Sequence, residues 1–324
     1  MKRSHKALVI GAGAALAAGA AAAAATELMA ELLISQALDR EQPKIIQRAS
    51  ALTAGKPRQD PLLEEAAAAM ERLQRTALER VEITASDGTR LVGHWRPCEN
   101  AKRVIIAFHG WRSAWYKDFA GIADFWLANG CSVLYVEQRG QGESGGDGMG
   151  FGLIERYDCL DWANWVNEHG DRELPLYLAG VSMGATTVLM AAGLELPENV
   201  RGVMADCGFT SPEAIWKHVA ESNYHMPYHV FRRRVARRSA GRLGSAPDAY
   251  STVDAMRETK VPVLFVHGLD DDFVPPSMTE ENYAACASEK KRMLLVSGAR
   301  HGMSYLVDRA RYEALVLEFW EDCD

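Results

Sequence analysis

Three residues of this chain have the types needed to transfer an acyl group: Ser182 in Gly180-Val181-Ser182-Met183-Gly184, Asp271 in Gly268-Leu269-Asp270-Asp271-Asp272-Phe273-Val274-Pro275, and His301 in Gly298-Ala299-Arg300-His301-Gly302. Acyl transfer by serine requires a base for the hydroxyl proton, a carboxylate to orient that base, and donors for the oxyanion. Ser182 follows the apolar run Leu174 to Gly180 and precedes the helix-prone Ala185 to Leu194, which places it on a strand-to-helix turn. Such a turn lifts a hydroxyl clear of a sheet, its glycines let backbone crowd a strained position, and the helix N-terminus favours developing negative charge. The motif by itself is weak, because on the order of one chain in ten of this length would contain it by chance. The surrounding elements decide its meaning.

His301 follows the last expected strand and so belongs to a loop above the sheet, the position required of a base. His109 and His267 read as structural histidines. Within the three consecutive aspartates, the spacing from Gly268 and to Val274-Pro275 favours Asp271 as the orienting acid, with Asp270 and Asp272 as turn or solvated residues. Asp206, at the end of an earlier strand, is the second choice. His109-Gly110-Trp111 ends the first parallel strand, where a loop must supply one oxyanion donor. That donor is assigned to the Trp111 N–H and its companion to the Met183 N–H.

The elements that must position these groups begin at Val81. Val81-Glu82-Ile83-Thr84 and Leu91-Val92-Gly93-His94-Trp95 flank Asp87-Gly88, a hairpin signal. Apolar strands follow at Val104 to Phe108, Ser132 to Val136, Leu174 to Gly180, Val200 to Ala205, Val261 to Val266 and Met293 to Ser297, most of them separated by helical segments. That alternation implies a mostly parallel sheet covered on both faces, whose active site gathers at the carboxyl ends of its strands.

Composition narrows the rest. A chain of 324 residues can bury one large α/β core beside an N-terminal extension. A net charge of −7 gives no reason to expect a nucleic-acid partner. The six cysteines form no Cys-x-x-Cys or His/Cys cluster, so neither a metal nor a cofactor is expected, and Cys131, Cys159 and Cys207 read as buried small hydrophobes.

The first residues differ from the rest. Lys2, Arg3 and Lys6 precede an uncharged run from Ala7 to Ala25, about long enough to cross a bilayer, and Glu27 and Glu31 follow it. Residues 1–26 are therefore expected to be an export signal or membrane anchor, with the bulk of the chain outside the cytoplasm, either anchored or released at Ala23-x-Ala25. A soluble alanine helix, and with it a cytoplasmic protein, is the remaining alternative. Gly11-Ala12-Gly13 imitates a dinucleotide fingerprint, but no strand precedes it and Leu16 stands where a third glycine is needed. Residues 27–80 read as a helical extension, with Leu28, Leu32, Leu33 and Leu38 on one side, a second helix from Pro61 to Arg80, and a flexible stretch from Gln42 to Asp60.

Taken together, the chain resembles the serine α/β-hydrolases from Val81 to its C-terminus. The resemblance rests on His109-Gly110-Trp111, Arg139-Gly140-Gln141-Gly142-Glu143-Ser144, Gly180 to Gly184, Gly268 to Pro275 and Gly298 to Gly302, in the order serine, acid, histidine. It is similar to bacterial, often membrane-associated, esterase-like members through Phe151-Gly152-x-x-Glu155-Arg156-Tyr157-Asp158 and Asp206-Cys207-Gly208-Phe209-Thr210-Ser211. The resemblance implies an α/β-hydrolase fold over residues 81–324, with an eight-stranded, mostly parallel sheet and a short cap at 209–260 between strands 6 and 7. Tyr224, Met226, Tyr228 and Phe231 are expected at the entrance of the acyl pocket. Arg232, Arg233, Arg234, Arg237, Arg238 and Arg242 follow on a helix that either faces water or meets an anionic membrane surface or acidic substrate. Hydrolysis of small-molecule or lipid carboxylic esters or thioesters is the favoured activity. A peptidase or amidase on the same three residues and a silent binding protein are the alternatives. Dehalogenase and epoxide-hydrolase chemistry would need an acid at position 182.

Overall fold

The computed structural model describes residues 2–53, 61–170 and 172–324, and the side chains of 19–48, 61–170 and 172–324. Three helices come first: α1 (Lys2–Leu38), α2 (Lys44–Thr53) and α3 (Pro61–Arg75). A hairpin of β1 (Glu79–Thr84) and β2 (Arg90–Arg96) leads to β3 (Arg103–Phe108), α4 (Trp115–Asp118), α5 (Ala123–Ala128), β4 (Cys131–Glu137), α6 (Glu155–His169), β5 (Leu176–Val181), α7 (Met183–Ala191) and β6 (Val200–Asp206). The cap holds α8 (Pro212–His218), a π-helical turn (Val219–Asn223), α9 (Tyr228–Leu243) and α10 (Thr252–Glu258). The chain ends with β7 (Val263–Gly268), α11 (Pro276–Ala285), β8 (Lys291–Val296), α12 (Ser304–Val307) and α13 (Arg309–Cys323).

The eight strands form one sheet in the order β1-β2-β4-β3-β5-β6-β7-β8. β1, β2 and β4 pair antiparallel and the remaining neighbours are parallel. Every residue of β3 is buried, as a central strand covered on both faces requires. One face packs Trp162 and Val188 against Ile106 and Leu178, the other packs Trp126, Phe319 and Trp320 against Ile105 and Tyr177. A third apolar cluster joins Ile34 of α1 to Phe151, Phe209, Ile215 and Val235 beneath the cap.

The N-terminal helices depart from expectation in three ways. Of the expected leucines Leu38 is buried but Leu28 is 63% exposed, and Ala30, Ile34 and Ala37 are buried instead. The small side chains of Ala30 and Ala37 let α1 approach α9, whose Val235 and Ser239 are buried in turn, so close packing rather than the leucine stripe selected the face. Helix α3 stops at Arg75 instead of Arg80, because Glu79 and Arg80 pair with Trp95 and His94 in the hairpin. Within the stretch from Gln42 to Asp60, Lys44–Thr53 is helical, while residues 54–60 lie outside the described residues.

Candidate active site

Ser182 sits between β5 and α7 at φ 56°, ψ −116°, a left-handed conformation that costs a residue with a side chain about 1 to 3 kcal/mol. Two glycines make the turn sterically possible. A Cβ on Gly184 would lie 1.8 Å from the Phe108 carbonyl oxygen, and one on Gly180 would lie 2.2 Å from the Gly184 oxygen. The Ser182 N–H donates to the Asp206 carbonyl at 2.8 Å, fixing the turn to the next strand.

Ser182 Oγ lies 2.9 Å from His301 Nε2, and His301 Nδ1 lies 2.7 Å from Asp271 Oδ2. The other Asp271 oxygen accepts the backbone N–H groups of Phe273 and Val274, each at 2.9 Å. Burial alone would raise the Asp271 carboxyl, but hydrogen bonds from His267 and His301 outweigh it and hold the group well below the usual carboxylate range. Asp270 is exposed and uses its backbone N–H on the Ala299 carbonyl, and Asp272 faces Arg300 at the surface. Asp206 is buried and accepts from Ser304 Oγ at 3.0 Å rather than from His301, and burial pushes its carboxyl up. Of the acids weighed from sequence, Asp271 is thus the one brought to the imidazole.

His267 is a participant that sequence reasoning treated as mere packing. Fully buried, it donates from Nε2 to Asp271 Oδ2 at 3.1 Å and to the Val274 carbonyl at 2.9 Å, while Nδ1 accepts from Thr279 Oγ1 at 2.7 Å. The signal available was a histidine four residues before the acid, but only the turn after β7 folds one onto the other. His109 is structural as expected: Nδ1 donates to the Gly110 carbonyl at 2.8 Å and Nε2 accepts from Gln138 N–H at 3.3 Å. Burial pushes its pKa down and keeps the ring neutral.

The loop after β3 lies directly over Ser182, since a Cβ on Gly110 would be 3.3 Å from the Ser182 Cβ. Asp118 anchors this loop by accepting from Gly110 N–H and from Ser113 Oγ, both at 2.6 Å. Trp111 stands next in that loop and Met183 begins α7, which puts both beside the serine.

Two cavities meet at Ser182. The larger, about 410 Å³, runs past Met70, Asp118, Asp206, His301 and Tyr305. The smaller, about 100 Å³, is walled by apolar side chains including Phe209, Trp216, Tyr224 and Tyr228. Met226 and Phe231, expected in this wall, do not line it. Met226 is held in the turn before α9 by its N–H on the Ala220 carbonyl, and Leu33, Ile34 and Ala37 of α1 line the cavity instead. Of the six arginines on α9, Arg232 pairs with Glu213, Arg234, Arg237 and Arg238 with Glu27, and Arg242 with Glu31 and Asp39.

Cys207, Asp271 and His301 place donor atoms within 4.8 Å of one another. They suit proton handling better than a metal: burial pushes the Cys207 thiol well up, and coordination would break the 2.7 Å His301–Asp271 bond. The six cysteines are free thiols.

A serine on a strained strand-to-helix turn, paired with an imidazole at the carboxyl edge of a mostly parallel eight-stranded sheet, defines a serine α/β-hydrolase. The chain belongs to the prolyl oligopeptidase family, whose sequence model matches residues 118–323. It is 26% identical over 256 residues to the protein YqkD of Bacillus subtilis, covering 78% of this chain and 81% of that one. The Pyrococcus furiosus esterase Pf2001 has a similar structure, with TM-score 0.64 and 21% identity over 78% of this chain and 93% of its own. A puromycin-hydrolyzing peptidase of Mycobacterium tuberculosis matches with TM-score 0.59 and 18% identity over 76% of this chain and 39% of its own. At these identities the structural likeness establishes the fold.

Proposed function

We propose that this protein hydrolyses carboxylic esters or thioesters through an acyl-enzyme intermediate, with Ser182 as nucleophile, His301 as general base and then general acid, and Asp271 as the carboxylate that orients and stabilises the imidazolium. The observation that carries the reading is the continuous pair of contacts from Ser182 Oγ to His301 Nε2 and from His301 Nδ1 to Asp271 Oδ2, at 2.9 and 2.7 Å. Attack by Ser182 on the substrate carbonyl passes its proton to His301. The Trp111 and Met183 N–H groups receive the oxyanion, His301 returns the proton to the leaving group, and water repeats the sequence to release the acid.

The cavities favour an ester. The carboxylates beside the larger cavity are already engaged, Asp118 with Gly110 and Ser113 and Asp206 with Ser304, which leaves neither free to anchor a substrate amine. The apolar walls of the smaller cavity suit an acyl chain. An esterase among the structural relatives agrees with this reading. The family and the peptidase relative favour a second reading, an amidase or peptidase on the same residues. Fluorophosphonate labelling of the full chain, abolished in Ser182→Ala, tests the nucleophile. A panel of p-nitrophenyl esters, thioesters and aminoacyl anilides tests the substrate class, and turnover of anilides above esters would overturn the ester assignment.

We further place the protein at a membrane through its N-terminal helix. Gly19–Leu38 is long and apolar enough to cross a bilayer, but Glu27 and Glu31 within it are paired to α9, which keeps residues 27–38 with the catalytic domain and leaves the run from Ala7 to Ala25 as the membrane segment. Most of the α9 arginines serve α1, so membrane contact is assigned to α1 rather than α9. Carbonate extraction of membranes checks this, and release of the protein into the supernatant would refute an anchor.

A further inference from the structure

The last turns of α1 are built into the substrate site. Leu33, Ile34, Gln36 and Ala37 line the apolar cavity that reaches Ser182, and Ile34 is 1% exposed. The terminal carbonyls of a helix need partners outside it, and here the loop over Ser182 supplies them. Trp111 Nε1 donates to the Ala37 carbonyl at 2.9 Å, and the Arg112 guanidinium donates to the carbonyls of Gln36, Asp39 and Arg40 at 3.1, 2.5 and 3.0 Å. Arg112 holds φ 51° in doing so. Beyond the helix, Met149 N–H donates to the Leu38 carbonyl at 2.8 Å, which stitches the segment to the glycine-rich loop after β4. On the cap side, Glu27 and Glu31 are clasped by Arg234, Arg238 and Arg242.

We propose that Leu33, Ile34 and Ala37 of the N-terminal helix are specificity-determining residues, forming the wall that selects an unbranched apolar acyl chain longer than acetyl. The inference rests on the hydrolase reading above. It also has a topological consequence: cleavage after Ala25 would leave Glu27, Glu31 and the whole wall in place, so anchored and released forms would share one selectivity.

The test uses the full chain in detergent with p-nitrophenyl acetate, butyrate, octanoate and dodecanoate. Ala37→Leu puts three more carbons into the cavity at a helix position that tolerates leucine. It should lower kcat/KM for octanoate tenfold or more relative to acetate. Leu33→Ala, at a half-buried position, should shift the preference at least threefold toward dodecanoate. Fluorophosphonate labelling of Ser182 and the thermal midpoint are read in parallel. Uniform change across chain lengths, or an unchanged profile in both labelled variants, overturns the proposal and leaves the hydrolase reading standing. Failure of the wild-type chain to label overturns both.

Discussion

Asp271→Asn offers the sharpest test of the hydrogen-bond arrangement. One Asp271 oxygen accepts two backbone N–H groups at 2.9 Å, so the single oxygen of asparagine must stay there. Its NH₂ then points at His301 Nδ1, where the carboxylate oxygen lay 2.7 Å away. A donor facing Nδ1 forces the proton to Nε2, and Nε2–H cannot take the proton of Ser182. The same NH₂ also faces His267 Nε2–H, which loses its bond to Asp271 and keeps the one to the Val274 carbonyl at 2.9 Å. The expected outcome is a fall in kcat of about 10⁴, equivalent to roughly 5.4 kcal/mol of transition-state stabilisation, with KM changed by less than threefold. Stopped-flow or steady-state turnover of an activated ester measures the rate, and circular dichroism confirms the fold. A loss under tenfold, or a larger loss in Asp206→Asn, would refute the assignment of the acid.

Other outcomes follow from the same geometry. His267→Ala removes one hydrogen bond to Asp271 and should lower kcat about tenfold, near 1.4 kcal/mol, more than it raises KM; His267→Gln should recover part of the rate. An equal effect of the two substitutions would assign His267 to packing. Because Asp271 is held below the usual carboxylate range, it stays ionised through mild acid, and its protonation should contribute nothing to the pH–rate profile above about pH 4. His109 is kept neutral by burial, so below about pH 6.5 the unfolded chain binds a proton that the folded chain refuses. Stability therefore falls with acid by up to about 1.4 kcal/mol per pH unit from this group, and urea titrations of His109→Asn should show a flatter slope. Gly184→Ala drives a Cβ to 1.8 Å from a backbone oxygen; a cost of about 3 kcal/mol would lower Tm by roughly 6 to 12 °C, and an unchanged Tm would mean that the turn can relax.

The strands of the sheet were legible because β3 to β8 each carry an apolar run and β1 and β2 flank Asp87-Gly88, and the chemistry-bearing residues fall where the apolar runs end. Ser182 and His301 were legible for the same reason. Asp271 was chosen on spacing, and its position against His301 follows from a turn that also fixes Phe273 and Val274 N–H on the carboxylate. His267 escaped notice because its contact depends on how tightly that turn closes, which residue types alone do not specify. The acyl wall escaped for a different reason. Periodicity in α1 marks several apolar faces, and the buried one was selected by Ala30 and Ala37 meeting a helix some 200 residues later. The arginines of α9 read as a charged face, yet Arg234, Arg237, Arg238 and Arg242 pair with Glu27 and Glu31, the glutamates that follow the apolar N-terminal run.

Helix α1 runs without interruption from Lys2 to Leu38, and this makes it a ruler. At 1.5 Å per residue, Leu33 stands about 12 Å along the axis from Ala25, where the uncharged run ends. With residues 7–25 in a bilayer, that height is roughly twice the polar layer of one leaflet, and the unbroken helix holds it fixed. Ser182 would then sit at a set elevation and heading over the lipid, with the proposed acyl wall as the upper portion of the same rod. A chain drawn from the bilayer would meet its binding surface on the element that fastens the enzyme there, so attachment and substrate capture become one mechanical property of one helix.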